Sequence, residues 1–282
     1  MFGYNINFSL SPAEISETAE RLLGSGSFGA IEVTDFSCLR DVDESSYNNV
    51  VLDVIKRYNP KVSVHTVDFN LAEENEILWR ALLDQCRHSV DYLADYMGGR
   101  DLVLHGGHLA WGLHSKAVEN KYFTQKEYSS RAERCFMLSV ETMQKVCDYA
   151  GEKGVTVYTE NIVDDSFLKD ADDLLAYIDA VGRPNLKAVL DLGHAHFCGL
   201  DVPDQVRRLG RRLGHLHIYN SFRDVCTHNT LEEGDIDIDG FVKALVEVGY
   251  SGTMMFEVRQ PADPQKLLRS AEMIEVLYEN YR

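Results

Sequence analysis

The chain has 282 residues, with 45 acidic and 28 basic side chains and a formal net charge of −17. This length is close to the roughly 250 residues of a (β/α)₈ barrel and is enough for one large hydrophobic core. The acidic balance disfavours nonspecific binding to nucleic acid, because such binding depends on contacts between basic side chains and phosphates. The six cysteines include no CxxC pair, which is typical of reduced intracellular thiols rather than a disulfide framework.

The sequence also predicts a soluble, cytoplasmic protein. Its first residues, MFGYNINFSLSPAE, lack the basic start and apolar core of a signal peptide. No apolar run approaches the ~20 residues of a membrane span. Gly24 and Gly26 follow a helical pattern, whereas a dinucleotide-binding fingerprint follows a strand. We therefore expect no membrane partner and no organic cofactor.

Short apolar strand patterns alternate with helical patterns along the whole chain. The predicted strands are 3–8, 28–34, 62–65, 102–105, 155–160, 186–191, 215–219 and 253–257. The predicted helices are 12–23, 44–58, 76–97, 127–153, 171–181, 203–213, 238–248 and 264–281. Strands that each precede a helix indicate an α/β protein with a closed parallel (β/α)₈ barrel, whose active site lies at the C-terminal ends of the strands. No Gly/Ser/Pro-rich linker divides the chain, which predicts one domain over residues 1–282.

Six of the predicted strand segments carry an imidazole or a carboxylate at or near their C-terminal end. These side chains are His65, His105, Glu160, Asp191, His217 and Glu257. The C-terminal ends of all strands in a parallel barrel meet at the same face. The six side chains are therefore expected to converge there, although they are scattered in the sequence.

Four of these side chains are predicted to bind one divalent cation: Glu160, Asp191, His217 and Glu257. Three negative charges directed at one barrel mouth would repel each other unless a cation neutralised them. Oxygen and nitrogen ligands without a thiolate suit Mn²⁺, Mg²⁺, Co²⁺ or Zn²⁺. His215 and His217 project from the same face of their strand, but His217 is nearer to its C-terminal end and is the favoured ligand.

The longest predicted stretch without a helix, residues 106–125, follows the fourth strand on the active-site side of the barrel. It contains His108, Trp111, His114 and Tyr122. Long ordered loops in compact domains are usually functional. We interpret this stretch as a substrate-covering loop in which Trp111 contacts the substrate, with a plain surface excursion as the alternative.

Five segments resemble the xylose isomerase-like barrel superfamily, which groups sugar isomerases and epimerases with endonuclease IV-type abasic-site nucleases. The segments are TEN (159–161), DLGHAH (191–196), HLHIYN (215–220), THNTLEEGDID (227–237) and GTMMFEV (252–258). The resemblance extends in pattern over residues 1–282 and is sharpest from Val155 to Val258. It implies a barrel in which the residues matching Glu160, Asp191, His217 and Glu257 hold a catalytic divalent metal.

The resemblance also implies contacts with the substrate. His194 matches a residue that binds substrate in the epimerases and a further zinc in the nucleases. Arg223 matches a position where related ketose 3-epimerases place a substrate-contacting arginine, although it could equally pair with Asp224 as a loop charge. The predicted substrate-binding residues are His65, His105, His194, Arg223, His228 and Trp111.

These observations predict a metal-dependent isomerase or epimerase acting on a small sugar or sugar phosphate. Such an enzyme removes a proton from the carbon next to a carbonyl, and a metal that chelates the neighbouring oxygens stabilises the resulting enediolate. Glu160 and Glu257, on well-separated strands, are the predicted acid–base pair. The sugar, the metal, the choice between isomerisation and epimerisation, and assembly into a homo-oligomer stay open.

Two alternative functions are a metal-dependent dehydratase of a polyol or inosose and an endonuclease IV-like nuclease. The nuclease would need two further zinc positions, the first of which could use His65, His105 and Glu160. The second would use His194, His228 and an aspartate, but this chain has Cys226 in place of the aspartate. Cysteine can bind zinc. Even so, this departure, the acidic charge and the lack of a basic insertion bearing aromatic residues favour a sugar over DNA.

Overall fold

Eight parallel strands close into a barrel in a computed structural model that describes residues 1–7, 9–35, 44–108, 125–163 and 166–282. The described residues form these eight strands and a separate pair, β8 and β9. In chain order the strands are β1 (Phe2–Ile6), β2 (Phe28–Thr34), β3 (Lys61–His65), β4 (Asp101–Val103), β5 (Thr156–Glu160), β6 (Leu186–Asp191), β7 (Leu213–Ile218), β8 (Asn220–Phe222), β9 (Val225–Asn229) and β10 (Thr253–Phe256). Strands β1 to β7 follow one another around the barrel, and β10 closes it by pairing with both β7 and β1. The predicted (β/α)₈ fold is confirmed.

Helices surround the barrel and separate most of its strands. They are α1 (Pro12–Leu22), α2 (Glu44–Tyr58), α3 (Glu76–Asp91), α4 (Gln125–Glu152), α5 (Ala171–Val181), α6 (Leu192–Phe197), α7 (Val202–Leu209), α8 (Ile238–Val248) and α9 (Pro264–Tyr281). A π-helical turn, Tyr92–Met97, extends α3, and a 3₁₀ turn, Gly210–Arg212, follows α7. Within the described ranges, no helix combines the length and the apolarity that crossing a membrane requires.

Local capping signals explain where several helices begin. Ser11 and Glu14 form a reciprocal capping box at the start of α1, and Pro12 occupies the first turn, where a missing N–H costs nothing. Asp237 caps α8 by accepting a hydrogen bond from the amide of Gly240. The final helix has its predicted bounds, Pro264–Tyr281.

Successive side chains along a strand point alternately into the main hydrophobic core and into a polar barrel interior. Ile31 and Val33 of β2 are buried in the core between strands and helices, while Glu32 between them reaches His215 and His217 of β7. Nearer the N-terminal end of the barrel, Asp101 pairs with Lys61 at 2.5 Å and accepts a hydrogen bond from Tyr158 Oη at 3.1 Å. Inward positions are thus available to polar side chains along the length of the barrel.

Three short elements at the barrel mouth were absent from the sequence prediction: α6, β8 and β9. Helix α6 begins directly after Asp191, whose Oδ1 accepts a hydrogen bond from the amide of His194 at 2.7 Å and so caps the helix. Strands β8 and β9 pair as an antiparallel hairpin, and α6 packs against both of them. These elements place side chains beside the ends of β6 and β7.

Gly193 lets the ring of Tyr219 pack closely against α6, and we expect this contact to matter for stability. A Cβ atom at position 193 would overlap the ring of Tyr219, which itself stacks on His228 with ring centroids 3.9 Å apart. Overpacking of this kind typically costs about 1–3 kcal/mol. We therefore predict that Gly193→Ala lowers the free energy of unfolding by this amount in urea titrations.

Gly29→Ala is the matched control for this substitution. A Cβ atom at Gly29 would meet only the side chain of Met1, at an ordinary 3.5 Å. The control should change the free energy of unfolding by no more than about 0.5 kcal/mol. Equal stability of the two variants would show that Tyr219 moves aside without cost.

Candidate metal centre and substrate site

Four strand ends bring three carboxylates and one imidazole together at the barrel mouth. Glu160, Asp191, His217 and Glu257 place one ligand atom each within 4.8 Å of one another, and we call them the four-residue cluster. His217 Nδ1 lies 3.2 Å from Glu160 Oε1, 3.3 Å from Glu257 Oε2 and 4.0 Å from Asp191 Oδ2. Glu257 is partly exposed, and the other three are buried.

The donor atoms of this cluster fit a divalent cation. Glu160 Oε2, Asp191 Oδ2 and His217 Nδ1 are buried without a hydrogen-bond partner among the described residues. A buried polar atom left without a partner costs about 1–3 kcal/mol, and native proteins rarely leave several such atoms together. Carboxylate oxygens and an imidazole nitrogen would satisfy a cation such as Mn²⁺, Mg²⁺, Co²⁺ or Zn²⁺. The assignment of these four residues as metal ligands stays a prediction.

The charges within the cluster are strongly coupled. Burial by itself would raise the pKa of the Glu160 carboxyl, but the positive charge of His217 and the nearby ring nitrogens of His105 and His194 hold that pKa well below its usual range. Burial lowers the pKa of His217, yet the surrounding carboxylates outweigh it and raise this pKa well above normal. Burial, together with the charges of Glu160 and Glu257, raises the pKa of Asp191 to about 6. Protons on the histidines thus offset the negative charge when no cation does.

The structure separates the two histidines of β7 by depth. His217 belongs to the four-residue cluster, whereas His215 lies one layer further into the barrel. Glu32 contacts both: its Oε1 is 3.0 Å from His217 Nε2, and its Oε2 is 3.3 Å from His215 Nε2. Glu32 is thus paired with these two buried histidines, and it also lines the polar cavity beside the cluster.

His65 and His105 contact the Glu160 oxygen that does not face His217 Nδ1. Their Nε2 atoms lie 3.5 Å and 3.4 Å from Glu160 Oε2. The other nitrogen of each ring is also held, because His65 Nδ1 contacts the Thr66 carbonyl at 2.7 Å and His105 Nδ1 contacts Asp68 at 2.5 Å. Asp68 and Glu160 outweigh the effect of burial and raise the pKa of His105 to about 9. These two histidines and Glu160 form a second group with metal-ligand spacing.

His194, Cys226 and His228 form a third group of possible ligands, beside the ends of β6 and β10. His194 Nδ1 donates to the Asn161 carbonyl at 2.9 Å, and His228 Nδ1 donates to the Glu257 carbonyl at 2.9 Å. Cys226 Sγ lies 3.2 Å from the Tyr219 hydroxyl. Although burial opposes it, hydrogen bonds from His228 and Tyr219 lower the pKa of the Cys226 thiol.

Asn161 organises the mouth of the barrel, a role that the sequence did not predict. Its Oδ1 accepts a hydrogen bond from the Asp191 amide at 2.7 Å, and its Nδ2 donates to the Asp191 carbonyl at 3.1 Å. The buried amide therefore joins the ends of β5 and β6, and its own carbonyl holds His194. The one sequence feature that could have indicated this role is the position of the asparagine, directly after Glu160 at the end of a strand.

Of the predicted substrate contacts, Arg223 is exposed and Trp111 lies outside the described residues. Arg223 is on the turn between β8 and β9, and its Nη1 donates to the Gly199 carbonyl at 3.4 Å. Its contact with the substrate stays a prediction. Trp111 and most of the predicted substrate-covering loop fall within residues 109–124, outside the described residues.

A polar cavity of about 230 Å³ adjoins the cluster at the barrel mouth. Its walls include Glu32, His65 and Glu257. A larger cavity of about 830 Å³ lies beside Met1 and Tyr278, at the opposite end of the barrel. The smaller cavity is the one next to the cluster, and its size and polar walls suit a small polar molecule.

Residues 23–278 match the model of the xylose isomerase-like TIM barrel family. The chain belongs to this family. It is 33% identical over 121 residues to the L-ribulose 3-epimerase of Methylomonas sp. (strain DH-1), a match that covers 42% of this chain and 41% of that protein. It is 30% identical over 139 residues to the ketose 3-epimerase of Arthrobacter globiformis, covering 48% of this chain and 46% of that protein. The matched segments thus span less than half of each relative.

A solved structure shows the same fold over the whole chain. The crystal structure of a D-tagatose 3-epimerase-like protein superposes with a TM-score of 0.75 at 19% identity, covering 99% of this chain and 97% of that one. At this level of identity the likeness concerns the barrel architecture alone. The two curated relatives, by their names, are epimerases and hence isomerase-class enzymes.

Proposed function

We propose that this chain is a divalent-metal-dependent epimerase or isomerase of a small sugar, with a ketose or its phosphate as the substrate class. The observation that carries the proposal is the four-residue cluster, in which two glutamates from different strands flank one cation-binding position. Membership of the family and the named activities of the two relatives support the same class of reaction.

The proposed cation would be held by Glu160, Asp191, His217 and Glu257. When bound, it would supply positive charge that stabilises the negative charge developing on substrate oxygens. The neighbouring polar cavity of about 230 Å³, which reaches Glu257 and His65, would hold the sugar.

Glu160 and Glu257 are proposed as the groups that exchange the proton on the carbon next to the carbonyl. They extend from β5 and β10, which are separated in the barrel by β6 and β7, so they approach the cavity from different directions. The neighbouring histidines hold Glu160 in its carboxylate form, as a proton acceptor must be. Glu257 is partly exposed beside the cavity and can exchange a proton with a bound substrate.

An endonuclease IV-like nuclease is the second candidate, and one observation favours it. Groups with metal-ligand spacing occur on both sides of the four-residue cluster: His65, His105 and Glu160 on one side, and His194, Cys226 and His228 on the other. The net charge of −17 argues against this candidate, because DNA binding relies on cationic contacts. Sugar chemistry is therefore the proposal, and the nuclease is a competing outcome of its test.

The test of substrate class compares a panel of ketoses and ketose phosphates with an abasic-site DNA duplex. Each substrate is assayed with Mn²⁺, Mg²⁺, Co²⁺ and Zn²⁺. We expect at least one ketose to be converted, detected by chromatography of the products, and the duplex to stay intact. Strand incision without turnover of any sugar would reverse the proposal.

We predict that metal content depends on Asp191. Protein purified without chelator should contain a divalent metal, and Asp191→Ala should lose most of it, because one carboxylate ligand is gone. Elemental analysis measures both. Asp101→Asn is the control, since Asp101 is another carboxylate of the barrel interior, where it pairs with Lys61. Equal metal content in wild type and Asp191→Ala would refute the ligand assignment.

We predict that Glu160→Gln and Glu257→Gln retain most of the metal but lose at least about a hundredfold in turnover, since positioned acid–base groups contribute about 10²–10⁴-fold. Glutamine keeps the size and one ligating oxygen of glutamate, so it separates proton transfer from metal binding. For an epimerase, each variant should stop deuterium from solvent entering at one face of the substrate carbon. For a one-base isomerase, only one variant should abolish exchange.

Mass spectrometry and NMR of the products from reactions in D₂O measure this exchange. The proton-transfer assignment is wrong if both variants hold metal and turn substrate over at near wild-type rates. The base would then be sought among His194, His228 and a water molecule.

A further inference from the structure

Glu32 lies directly beneath the four-residue cluster, inside the barrel. Its side chain is buried, with a relative exposure of 1%. Oε2 accepts a hydrogen bond from Ser63 Oγ at 2.9 Å and lies 3.3 Å from His215 Nε2. Oε1 lies 3.0 Å from His217 Nε2. The two oxygens therefore face different partners, and only Oε1 is directed at a member of the cluster.

The contact between Glu32 and His217 determines which nitrogen of the ring can bind a cation. The imidazole presents Nε2 to Glu32 and Nδ1 to Glu160 and Glu257. An ionised carboxylate only accepts hydrogen bonds, so the nitrogen that faces it must carry the proton. In the neutral ring required of a metal ligand, Nδ1 then has a free lone pair directed at the cluster.

Other contacts hold the Glu32 carboxylate in place for this role. Ser63 is its direct neighbour in the pairing of β2 with β3, and the Ser63 hydroxyl binds the oxygen that does not face His217. The carboxylate is thus held in position beside His217.

We propose that Glu32 is a positioning residue for metal binding, whose carboxylate lies against Nε2 of His217 and so keeps Nδ1 of that ring facing the cation site. Glu32 contributes no ligand atom to the four-residue cluster and acts through His217. A carboxylate that accepts the second N–H of a metal-binding histidine fixes the orientation of the ring and raises its basicity as a ligand. This inference rests on the cation site of the proposed function.

The first test measures Mn²⁺ affinity by following the electron paramagnetic resonance signal of free Mn²⁺ during titration. Glu32→Gln is nearly isosteric and can keep the contact with Ser63, but it removes the charge that orients His217. We expect its Kd for Mn²⁺ to rise about 10- to 100-fold. Asp101→Asn, which removes another buried interior carboxylate, should leave the affinity unchanged.

A rescue variant and a spectroscopic measurement separate positioning from a general effect on stability. Glu32→Asp keeps the charge on a shorter side chain and should recover part of the affinity lost in Glu32→Gln. In Mg²⁺-loaded wild type, ¹H–¹⁵N NMR of labelled histidine should show a hydrogen-bonded proton on Nε2 of His217 and none on Nδ1, with His217→Gln providing the assignment. This measurement does not require any Glu32 variant to fold.

The outcomes distinguish this inference from the proposed function. If wild type and Glu32→Gln bind Mn²⁺ equally well while Asp191→Ala does not, the positioning role is wrong and the cation site stands. A proton on Nδ1 of His217 in the loaded protein would also overturn the positioning role. If wild type binds no divalent cation, the proposed site and the role of Glu32 fail together.

Discussion

Negative charge concentrated at one end of the barrel is the constraint on which the rest of the site depends. Glu160, Asp191 and Glu257 approach one another around His217, and two unit charges 4 Å apart interact by about 4 kcal/mol at an effective dielectric constant of about 20. The surrounding histidines reduce this repulsion, because they contact the carboxylates from several sides and take up protons when no cation is present. A single bound cation would also neutralise the carboxylate charges, and it would leave the histidines neutral. The neutral imidazole is the form that can bind a metal or a polar hydroxyl group.

The polar interior of the barrel extends this charge balance below the mouth. Strand alternation directs Ile31 and Val33 into the core and Glu32 into the barrel. Below Glu32, Asp101 is neutralised by Lys61. Each interior carboxylate therefore has a basic partner within its own layer, as burial of a charge requires. The strands provide inward positions of known depth, and the depth of a side chain determines whether it meets the substrate or supports a residue that does.

The parts of the fold with long or repeated residue patterns were predictable from the sequence. Apolar strands that end in a ligand-type residue, together with helices such as Pro264–Tyr281, were recognisable because their periodicity extends over several residues. The helix Leu192–Phe197 and the strand Asn220–Phe222 were missed, since six and three residues are too few to establish a period. The pairing of Glu32 with β7 and the bridging amide of Asn161 depend on contacts between strands, which a single sequence does not reveal. The metal ligands, the proton-transfer pair and a single domain over residues 1–282 remain proposals.

The distribution of the four-residue cluster along the chain links the site to the order in which the barrel assembles. Its members lie at the C-terminal ends of β5, β6, β7 and β10, and Glu257 takes its place only when β10 has docked between β7 and β1. A partly folded chain that lacks this last strand would present an incomplete coordination sphere. A cation that needs all four ligands would then bind the closed barrel but not the earlier intermediates. Its binding would stabilise the folded barrel by mass action. Closure of the barrel and metal binding would thus be coupled. The bound cation would stabilise the pairing of β10 with β7 and β1, which joins the two ends of the sheet.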